Sequence, residues 1–453
     1  MSAPQQAPEQ PSVDPEQLKR ATLASSVGSA LEYYDFYIYS LASALIFSHL
    51  FFGPLGEAGG LIASLGTITV GFAARPIGGL VFGHLGDRFG RKIVLIVTIA
   101  LMGGSSFLIG LLPTYETAGV LAPILLIVLR ILQGLGAGAE QAGATVMISE
   151  FAPAPRRGFF AALPFVGIQL GTLLGAGTFA LLGLAHTDLL HSWLWRLPFL
   201  LGAVLVLVAV YIRRRLKESP TFEVLNEQGV EPEKISLGQA IHSSRKNILI
   251  GIGLRMAENG NSSIYTSLLI AFVGSLAVFK GQANPGPIGA VVAAALSMVT
   301  VVSFGALSDR FGRVRVYRFG ALFSAIVAMP AFYLLTLGNP WLVILVMAVG
   351  IGIGVQGMLG PQCSMLPELF GNSHRYTGVA MAREISAVLA GGLAPMLGAA
   401  FLAMTGNAWW TIGLYSLVLS LITFATTFVT PETAGRSLTS LEDAVKGEVV
   451  RHG

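Results

Sequence analysis

Ionisable side chains are rare in the long apolar stretches of this sequence, and the eight that stand there occur in pairs. They are Glu32 and Asp35, Arg130 and Glu140, Arg255 and Glu258, and Arg383 and Glu384. A charge inside a lipid bilayer is costly, so such residues are expected to face a protein interior or a water-filled path. Carboxylates can take up and release a proton, whereas arginines hold anions. The residue types therefore indicate a path for a proton and an anionic group.

Two of these pairs have a spacing of three residues, which places both members on one helical face. Asp35 is the first candidate for a proton carrier. Burial disfavours its charge and a nearby Arg130 favours it, so a helix that moves between these surroundings would bind and release a proton in each cycle. Glu32 is the alternative carrier, and a permanently paired packing charge is the other interpretation of Asp35.

Arg255 is the candidate anchor for a carboxylate, because the guanidinium fork matches two carboxylate oxygens. Asn259 lies one turn further on, and Tyr265 follows it. Both can add hydrogen bonds, although Asn259 is equally consistent with helix packing. Arg383 and Glu384 are adjacent, so they point about 100° apart on a helix and are expected to have different partners, one of them in the other half of the chain.

Four tyrosines follow one another closely in the first apolar stretch. An aromatic wall of this kind can bind a quaternary ammonium group. Ordinary packing and interfacial anchoring is the alternative interpretation. The residues concerned are Tyr33, Tyr34, Tyr37 and Tyr39.

Composition sets the protein class. The 453 residues are 53% hydrophobic and 11% charged, whereas soluble domains carry roughly 25% charged residues. A soluble enzyme is therefore excluded, and a lipid-embedded chain is predicted. Residues 1–20 lack the apolar core of a signal peptide and are predicted to be an uncleaved, disordered tail. The lone Cys363 excludes a disulfide framework.

About 20 apolar residues are needed for each membrane span, and this length predicts an all-α protein with twelve transmembrane helices. Two six-helix bundles, 21–213 and 247–430, are separated by a linker at 214–246 and followed by a tail at 431–453. The predicted spans are 21–49, 58–83, 93–113, 120–150, 158–184, 192–213, 247–275, 286–307, 315–337, 340–366, 376–403 and 407–430.

The placement of basic residues predicts the orientation. Most of the 28 lysines and arginines fall in the tails and in the loops after even-numbered helices, and Lys280 alone falls on the other side. By the positive-inside rule both termini are cytoplasmic. The net charge of +4 is thus an orientation signal and does not indicate nucleic-acid binding.

An internal repeat relates the two halves. The segment Gly83–Lys92 recurs as Gly305–Val314, with DRFGR in both copies. These loops are predicted gates. Asp87 and Asp309 are placed to face a helix N-terminus, and Arg91 and Arg313 to reach the acids Glu150 and Glu368. Arg88 and Arg310 belong to the same loops, and a pure orientation role is the alternative.

Several ordered motifs resemble the major facilitator superfamily and, within it, the metabolite:proton symporter family. This resemblance covers all but the tails. The first helix departs mildly from the family pattern, with EYYDF for EWYDF, and MAREIS in helix 11 departs more. The motifs are GSALEYYDF at Gly28–Phe36, RPIGGLVFGHLGDRFGRK at Arg75–Lys92, RILQGLGAGAE at Arg130–Glu140, EFAPAPRRG at Glu150–Gly158, WRLPF at Trp195–Phe199, ESPTF at Glu218–Phe222 and RYTG at Arg375–Gly378.

The resemblance implies alternating access by two rocking bundles, with helices 1, 4, 7 and 10 around a central cavity. Members of the family import shikimate-like acids, α-ketoglutarate and other dicarboxylates, citrate, or proline and betaine. Arg130 resembles the fourth-helix arginine of proton symporters, which implies that it modulates proton binding by Asp35. A fixed ion pair with Glu140 or a helix 1 acid is the alternative.

These observations predict a secondary transporter of the bacterial plasma membrane, functional as a monomer, that imports a small mono- or dicarboxylate with protons. No nucleotide motif or metal constellation is present, so no cofactor is expected and an ion gradient supplies the energy. Sodium coupling, import of a zwitterionic solute, drug export and a non-transporting receptor are the alternatives. The predicted substrate contacts are Arg255, Glu258, Asn259, Tyr34, Glu140, Arg383 and Glu384.

Overall fold

A computed structural model describes the backbone of most of the chain. The described residues are 15–89, 91–138, 146, 148–150, 152–183, 192–202, 207, 237–279, 283–371, 375–438, 440 and 442–447. Side chains are described in the same ranges except at 15–21, 24, 80, 83–89, 91–96, 237–241 and 277. Within the described part every regular element is helical.

The first half contributes six helices to the fold. Short helical turns at Phe47–Leu50 and Tyr115–Ala118 connect some of them, and residues 146 and 148–150 are helical beyond the end of α4. The six helices are α1 (Pro15–Leu45), α2 (Gly56–Phe89), α3 (Arg91–Gly110), α4 (Leu121–Ala137), α5 (Arg157–Leu182) and the described part of α6 (197–202).

The second half repeats this arrangement, but three of its helices contain a π-helical segment. These segments are Ile264–Leu268, Gly350–Val355 and Ala387–Gly392. The helices are α7 (Leu237–Ser263 and Leu269–Ser275 around the first segment), α8 (Gly286–Phe311), α9 (Arg313–Leu335), α10 (Pro340–Val349 and Gln356–Leu369), α11 (Arg375–Ser386 and Leu393–Met404) and α12 (Trp409–Thr426).

Two predicted boundaries need correction. α1 begins at Pro15, inside the tail predicted at 1–20 to be disordered, and α7 begins at Leu237, inside the linker predicted at 214–246. Hydropathy marks where a helix enters lipid, but a helix satisfies its own backbone hydrogen bonds and continues into water when its residues permit. Proline at the first helical position and the polar helix formers after it favour the early start of α1.

Seven described helices are long and apolar enough to cross a membrane, and α4 and the Val97–Gly110 part of α3 are shorter apolar helices. Large apolar side chains stay exposed on the outside of the fold, which suits contact with lipid tails. Examples are Leu174, Val299, Ile326 and Leu421.

The two halves pack against each other along α5 with α8 and along α2 with α11. Gly158 and Gly305 let α5 and α8 touch by their backbones, because a β-carbon on either residue would overlap the carbonyl oxygen of the other. On α2, the hydroxyl of Thr69 donates to the carbonyl oxygen of Gly392 at 2.7 Å. We call the face at which α1 begins and α12 ends the terminal face, and the other the opposite face.

Candidate functional site

Asp35 lies at the centre of a buried hydrogen-bond network in the first half. Its carboxylate accepts hydrogen bonds from the Ser106 hydroxyl and from the amide of Gln133. Gln133 also donates to Ser106 at 3.0 Å, and its carbonyl oxygen accepts from the Arg130 guanidinium. The glutamine amide therefore stands between arginine and acid, so a proton arriving at Asp35 would be sensed by Arg130 through a polarised amide.

A cavity of about 20 Å³ adjoins this network and has room for roughly one water molecule. Asp35, Glu32, Arg75, Arg130 and Gln133 line it, together with Phe36 and Phe72. The Arg130 guanidinium lies 4.0 Å from the centre of the Tyr39 ring, a cation–π contact that holds it in place. Proton-binding groups and arginines thus line one small cavity.

Arg255 forms a similar network in the second half. Its guanidinium donates to Gln362, to Asn259 at 3.1 Å and to Ser386 at 3.0 Å, and it lies 3.3 Å from Glu258. All these partners belong to α7, α10 and α11. The structure thus brings Arg255, Glu258 and Asn259 together as the spacing predicted, with the arginine satisfied inside its own half.

A glutamine stands between an arginine and an acid in both halves. In the second half Gln362 accepts from Arg255, while its amide donates to Glu258 at 3.4 Å and to Tyr317 at 3.0 Å. Sequence reasoning missed Gln133 and Gln362 because neutral amides carry no charge to mark them. The available signal was a polar side chain three residues after Arg130 on the same helical face.

Arg75 joins the halves at membrane depth. Its guanidinium lies 3.2 Å from Glu32 in α1 and donates to Glu384 in α11 at 3.1 Å. Arg383, the next residue, lies instead within electrostatic range of Arg255, Glu258 and Tyr33. Arg383 is also within electrostatic range of Glu384 itself. Arg75 is a site residue that the sequence analysis left out.

The four tyrosines of α1 do not form one aromatic wall. Tyr34 donates to the carbonyl oxygen of Pro198, and Tyr39 donates to Thr67 in α2. Tyr37 is buried and Tyr33 packs against Phe36. Positions 33, 34 and 37 fall within about 100° of one another around the helix, whereas position 39 lies at least about 120° from each of them, because successive residues turn by about 100°. Tyr265 also lies away from Arg255, stacked on Phe332.

A buried ionic network closes the terminal face around Glu368. The carboxylate of this residue, which has no exposed surface, lies 3.0 Å from Arg157 in α5 and 3.3 Å from Arg313 in α9, and it accepts from Thr433 at 2.8 Å. Arg157 and Glu368 belong to different halves. The contact between Arg157 and Glu368 therefore has to break when the halves separate at this face.

Asp309 forms the second cross-half contact of this network. Its carboxylate accepts from the backbone amides of Gly158 and Phe159 at 2.8 and 2.9 Å, at the N-terminus of α5, and from Arg313 at 2.6 Å. Gly312, with φ +96°, ends α8 and allows Asp309 and Arg313 to meet across the turn. An acid at a helix N-terminus also suits the helix dipole.

Other predicted gate residues are placed differently or lie outside the described residues. Glu150 is 47% exposed and pairs with Arg375 of the other half at 2.9 Å, and Arg310 is exposed beside Phe311. The side chains of Asp87, Arg88 and Arg91, and the whole of Glu140, lie outside the described residues. The predicted contact of Arg91 with Glu150 therefore stays a prediction.

The described residues from 431 to 447, which we call the C-terminal strap, cover the same face. The backbone carbonyl of Arg436 accepts from Arg157 at 2.8 Å, and its guanidinium donates to the carbonyl oxygen of Glu368 at 2.9 Å. Further along, Ala444 donates its amide to Leu369, and Asn247 of α7 bonds to the carbonyl oxygens of both. The strap thus ties α5, α7 and α10 together.

We expect Asp309→Asn to slow transport while substrate affinity changes by less than about threefold. Asparagine keeps the shape but loses the charge-assisted bonds, which destabilises the closed terminal face by about 1–2 kcal/mol. Initial uptake rates in proteoliposomes and ligand-induced thermal shifts measure the two quantities. Glu57→Gln, an exposed neutralisation at the other end of the fold, is the control. Loss of binding with an intact fold would place Asp309 in the substrate site instead.

Comparison with known proteins places this geometry in a family. The family model described as sugar (and other) transporter matches twice in tandem, over residues 21–239 and 225–444. The chain belongs to the sugar (and other) transporter family. The two matches confirm two homologous halves, and the chain is a transporter of the major facilitator superfamily and not an enzyme.

Relatives and solved structures agree with this assignment. The putative transporter YdfJ and the shikimate transporter of Escherichia coli K12 are each 35% identical, over 91% and 90% of this chain and 97% and 93% of their own. The proline/betaine transporter of the same strain is 32% identical over 94% of this chain and 86% of its own. A crystal structure of a D-xylose-proton symporter, 22% identical, superposes with a TM-score of 0.71 over 92% of this transporter and 99% of that chain. The predicted fold, twelve helices in two bundles, is therefore confirmed.

Proposed function

We propose that this transporter imports a small organic acid together with protons across a bacterial plasma membrane, by alternating access and as a monomer. The observation that carries the proposal is Asp35, a buried carboxylate linked through Gln133 to Arg130 beside a small cavity. A carboxylate held in this way can exist charged or protonated, and Arg130 distinguishes the two states. In this proposal the terminal face is the cytoplasmic one, as the distribution of basic residues predicts.

Four buried arginines near the centre favour an anionic substrate. Arg75, Arg130, Arg255 and Arg383 are each less than 10% exposed. Arginine pairs with carboxylates through two parallel bonds, which gives both affinity and orientation. The shikimate transporter among the relatives is consistent with a substrate of this class.

A zwitterionic solute is the second candidate, and the proline/betaine transporter among the relatives favours it. A betaine requires a site for its ammonium group. Tyr34 donates to the Pro198 carbonyl oxygen and Tyr39 to Thr67 on another side of α1, so an aromatic cage of all four tyrosines is not part of this proposal. Competition between shikimate and glycine betaine for uptake separates the two candidates directly.

We expect uptake of shikimate into proteoliposomes to follow an inward proton gradient and to stop when a protonophore is added. The acids at membrane depth are the chemistry that can couple a gradient to transport. The measurement is radiolabelled uptake with the proton gradient and a sodium gradient imposed separately, and empty liposomes are the control. Uptake that follows sodium and persists with the protonophore would overturn the proposal.

Arg255→Lys is expected to weaken carboxylate binding roughly ten- to a hundredfold, because lysine cannot reproduce a bidentate contact worth about 1.5–3 kcal/mol. Isothermal titration of the purified transporter measures the affinity. Arg310→Lys, the same change at an exposed position, is the control. Normal binding by Arg255→Lys, with weak binding by Arg130→Lys or Arg383→Lys, would move the anchor to another helix.

A further inference from the structure

Arg75 makes a buried charge contact between the two halves. Its Nε donates to Glu384 of the second half and its Nη2 faces Glu32 of the first. The three residues are 8%, 6% and 3% exposed, respectively. Any movement that separates α2 from α11 must break the contact with Glu384, and breaking a buried pair without replacing a partner is strongly unfavourable.

The geometry of Arg75 suits a different partner. The Nε and Nη2 hydrogens of a guanidinium point the same way and together fit the two oxygens of one carboxylate. Here these donors are divided between two carboxylates, one from each half. A single ligand carboxylate would accept from both Nε and Nη2 at once. Neither protein carboxylate makes this two-bond contact with Arg75.

A small cavity and an interruption of α11 lie beside Arg75. Arg75 and Glu32 both line the cavity, and the ring of Phe72 lies 5.6 Å from the guanidinium. The π-helical segment of α11 begins at Ala387, three residues after Glu384. Segments of this kind interrupt the regular helix and are frequent at functional sites. Glu384 thus lies within one turn of an interruption in its helix.

We propose that the carboxylate of an anionic substrate takes the place of Glu384 on Arg75. This proposal rests on the proposed function and adds a carboxylate site in the first half to the anchor at Arg255. Glu384 also lies within electrostatic range of Arg383. Glu384 is therefore an internal competitor of the substrate, and it keeps Arg75 paired when no substrate is bound.

Charge balance links this exchange to the proton. Among the described residues, the cluster around Arg75 contains four acids and four arginines and is neutral when all are ionised. A monocarboxylate adds one negative charge, which a low-dielectric interior opposes unless a proton enters too. The members of the cluster are Glu32, Asp35, Glu258, Glu384, Arg75, Arg130, Arg255 and Arg383.

Affinity measurements with shikimate and its uncharged methyl ester test the exchange. Removing the competitor in Glu384→Gln should tighten shikimate binding about tenfold, as expected for release from one charge-assisted contact. The affinity for the ester should not rise.

Wild type should take up about one proton per shikimate bound, measured with an indicator dye in weak buffer. Glu384→Gln should take up none. Glu116→Gln, an exposed neutralisation, is the matched control.

Thermal unfolding of Arg75→Gln, Glu384→Gln and the double variant tests the pair without any ligand. The double variant should unfold closer to wild type than Arg75→Gln does, because it leaves one buried carboxylate, Glu32, without the Arg75 guanidinium instead of two. Additive shifts would overturn the pairing, and shikimate affinity that is unchanged or weaker in Glu384→Gln would overturn the competition. If wild type binds glycine betaine but neither shikimate nor another anionic carboxylate, the proposed function falls, while the unfolding data still report on the pair.

Discussion

Asp35→Asn is expected to abolish accumulation of substrate against its gradient while leaving exchange of labelled for unlabelled substrate intact. Asparagine fits the same space, since its oxygen can accept from Gln133 and the Ser106 hydroxyl can turn to accept from its amide. It cannot gain or lose a proton. Exchange needs no net proton cycle, so it should continue with a permanently neutral residue at this position.

The measurement compares proton-driven accumulation with counterflow in the same proteoliposomes, and the accumulation ratio should fall to about one. Glu32→Gln is the matched variant, one turn away on the same face of α1 and also a lining residue of the cavity. Accumulation that survives Asp35→Asn and disappears in Glu32→Gln would transfer the coupling role to Glu32.

Gly158→Leu is expected to abolish transport by preventing closure of the terminal face. A side chain there would overlap the Gly305 carbonyl oxygen and the Arg313 guanidinium. Overpacking typically costs about 1–3 kcal/mol, which shifts the equilibrium roughly five- to 150-fold toward the state in which this face is open. Substrate binding should persist, because the change lies far from Asp35 and Arg255.

Gly177→Leu on the same helix is the control, since no atom lies within 4 Å of the β-carbon added there. Spin-label distances between α5 and α8 measure the opening, and a thermal shift with substrate establishes that the variant is folded. Equal transport by the two leucine variants would show that the backbone contact of Gly158 with Gly305 is not required in the cycle.

Much of the architecture was predictable from the sequence because its signals are local. Apolar length marked the helices, the repeated DRFGR segment marked the two halves, and charge inside apolar stretches marked Asp35 and Arg255. The placement of Asp309 at a helix N-terminus and of Arg313 beside Glu368 also followed from their position in the repeat. The roles of these residues remain predictions.

The contacts that escaped prediction depend on which elements meet in space. Arg75 and Glu384 are 309 residues apart, and no periodic pattern relates them. Gln133 and Gln362 are neutral, so the cost of burying a charge did not reveal them. The strap has the composition of a solvated tail, yet its backbone and side chains satisfy carbonyl groups at the ends of other helices. A sequence does not record which helix ends need such partners.

The C-terminal strap has a consequence for biosynthesis. Residues 431–447 are translated after all twelve helices, yet they supply partners for Arg157 and for the backbone of Glu368 and Leu369. A chain inserted helix by helix therefore acquires these partners only after its last helix has been synthesised. The strap then completes the fold after synthesis of the membrane part has ended. A premature stop after α12 would yield an inserted protein without the strap contacts, and we expect that protein to be degraded faster than the full-length chain.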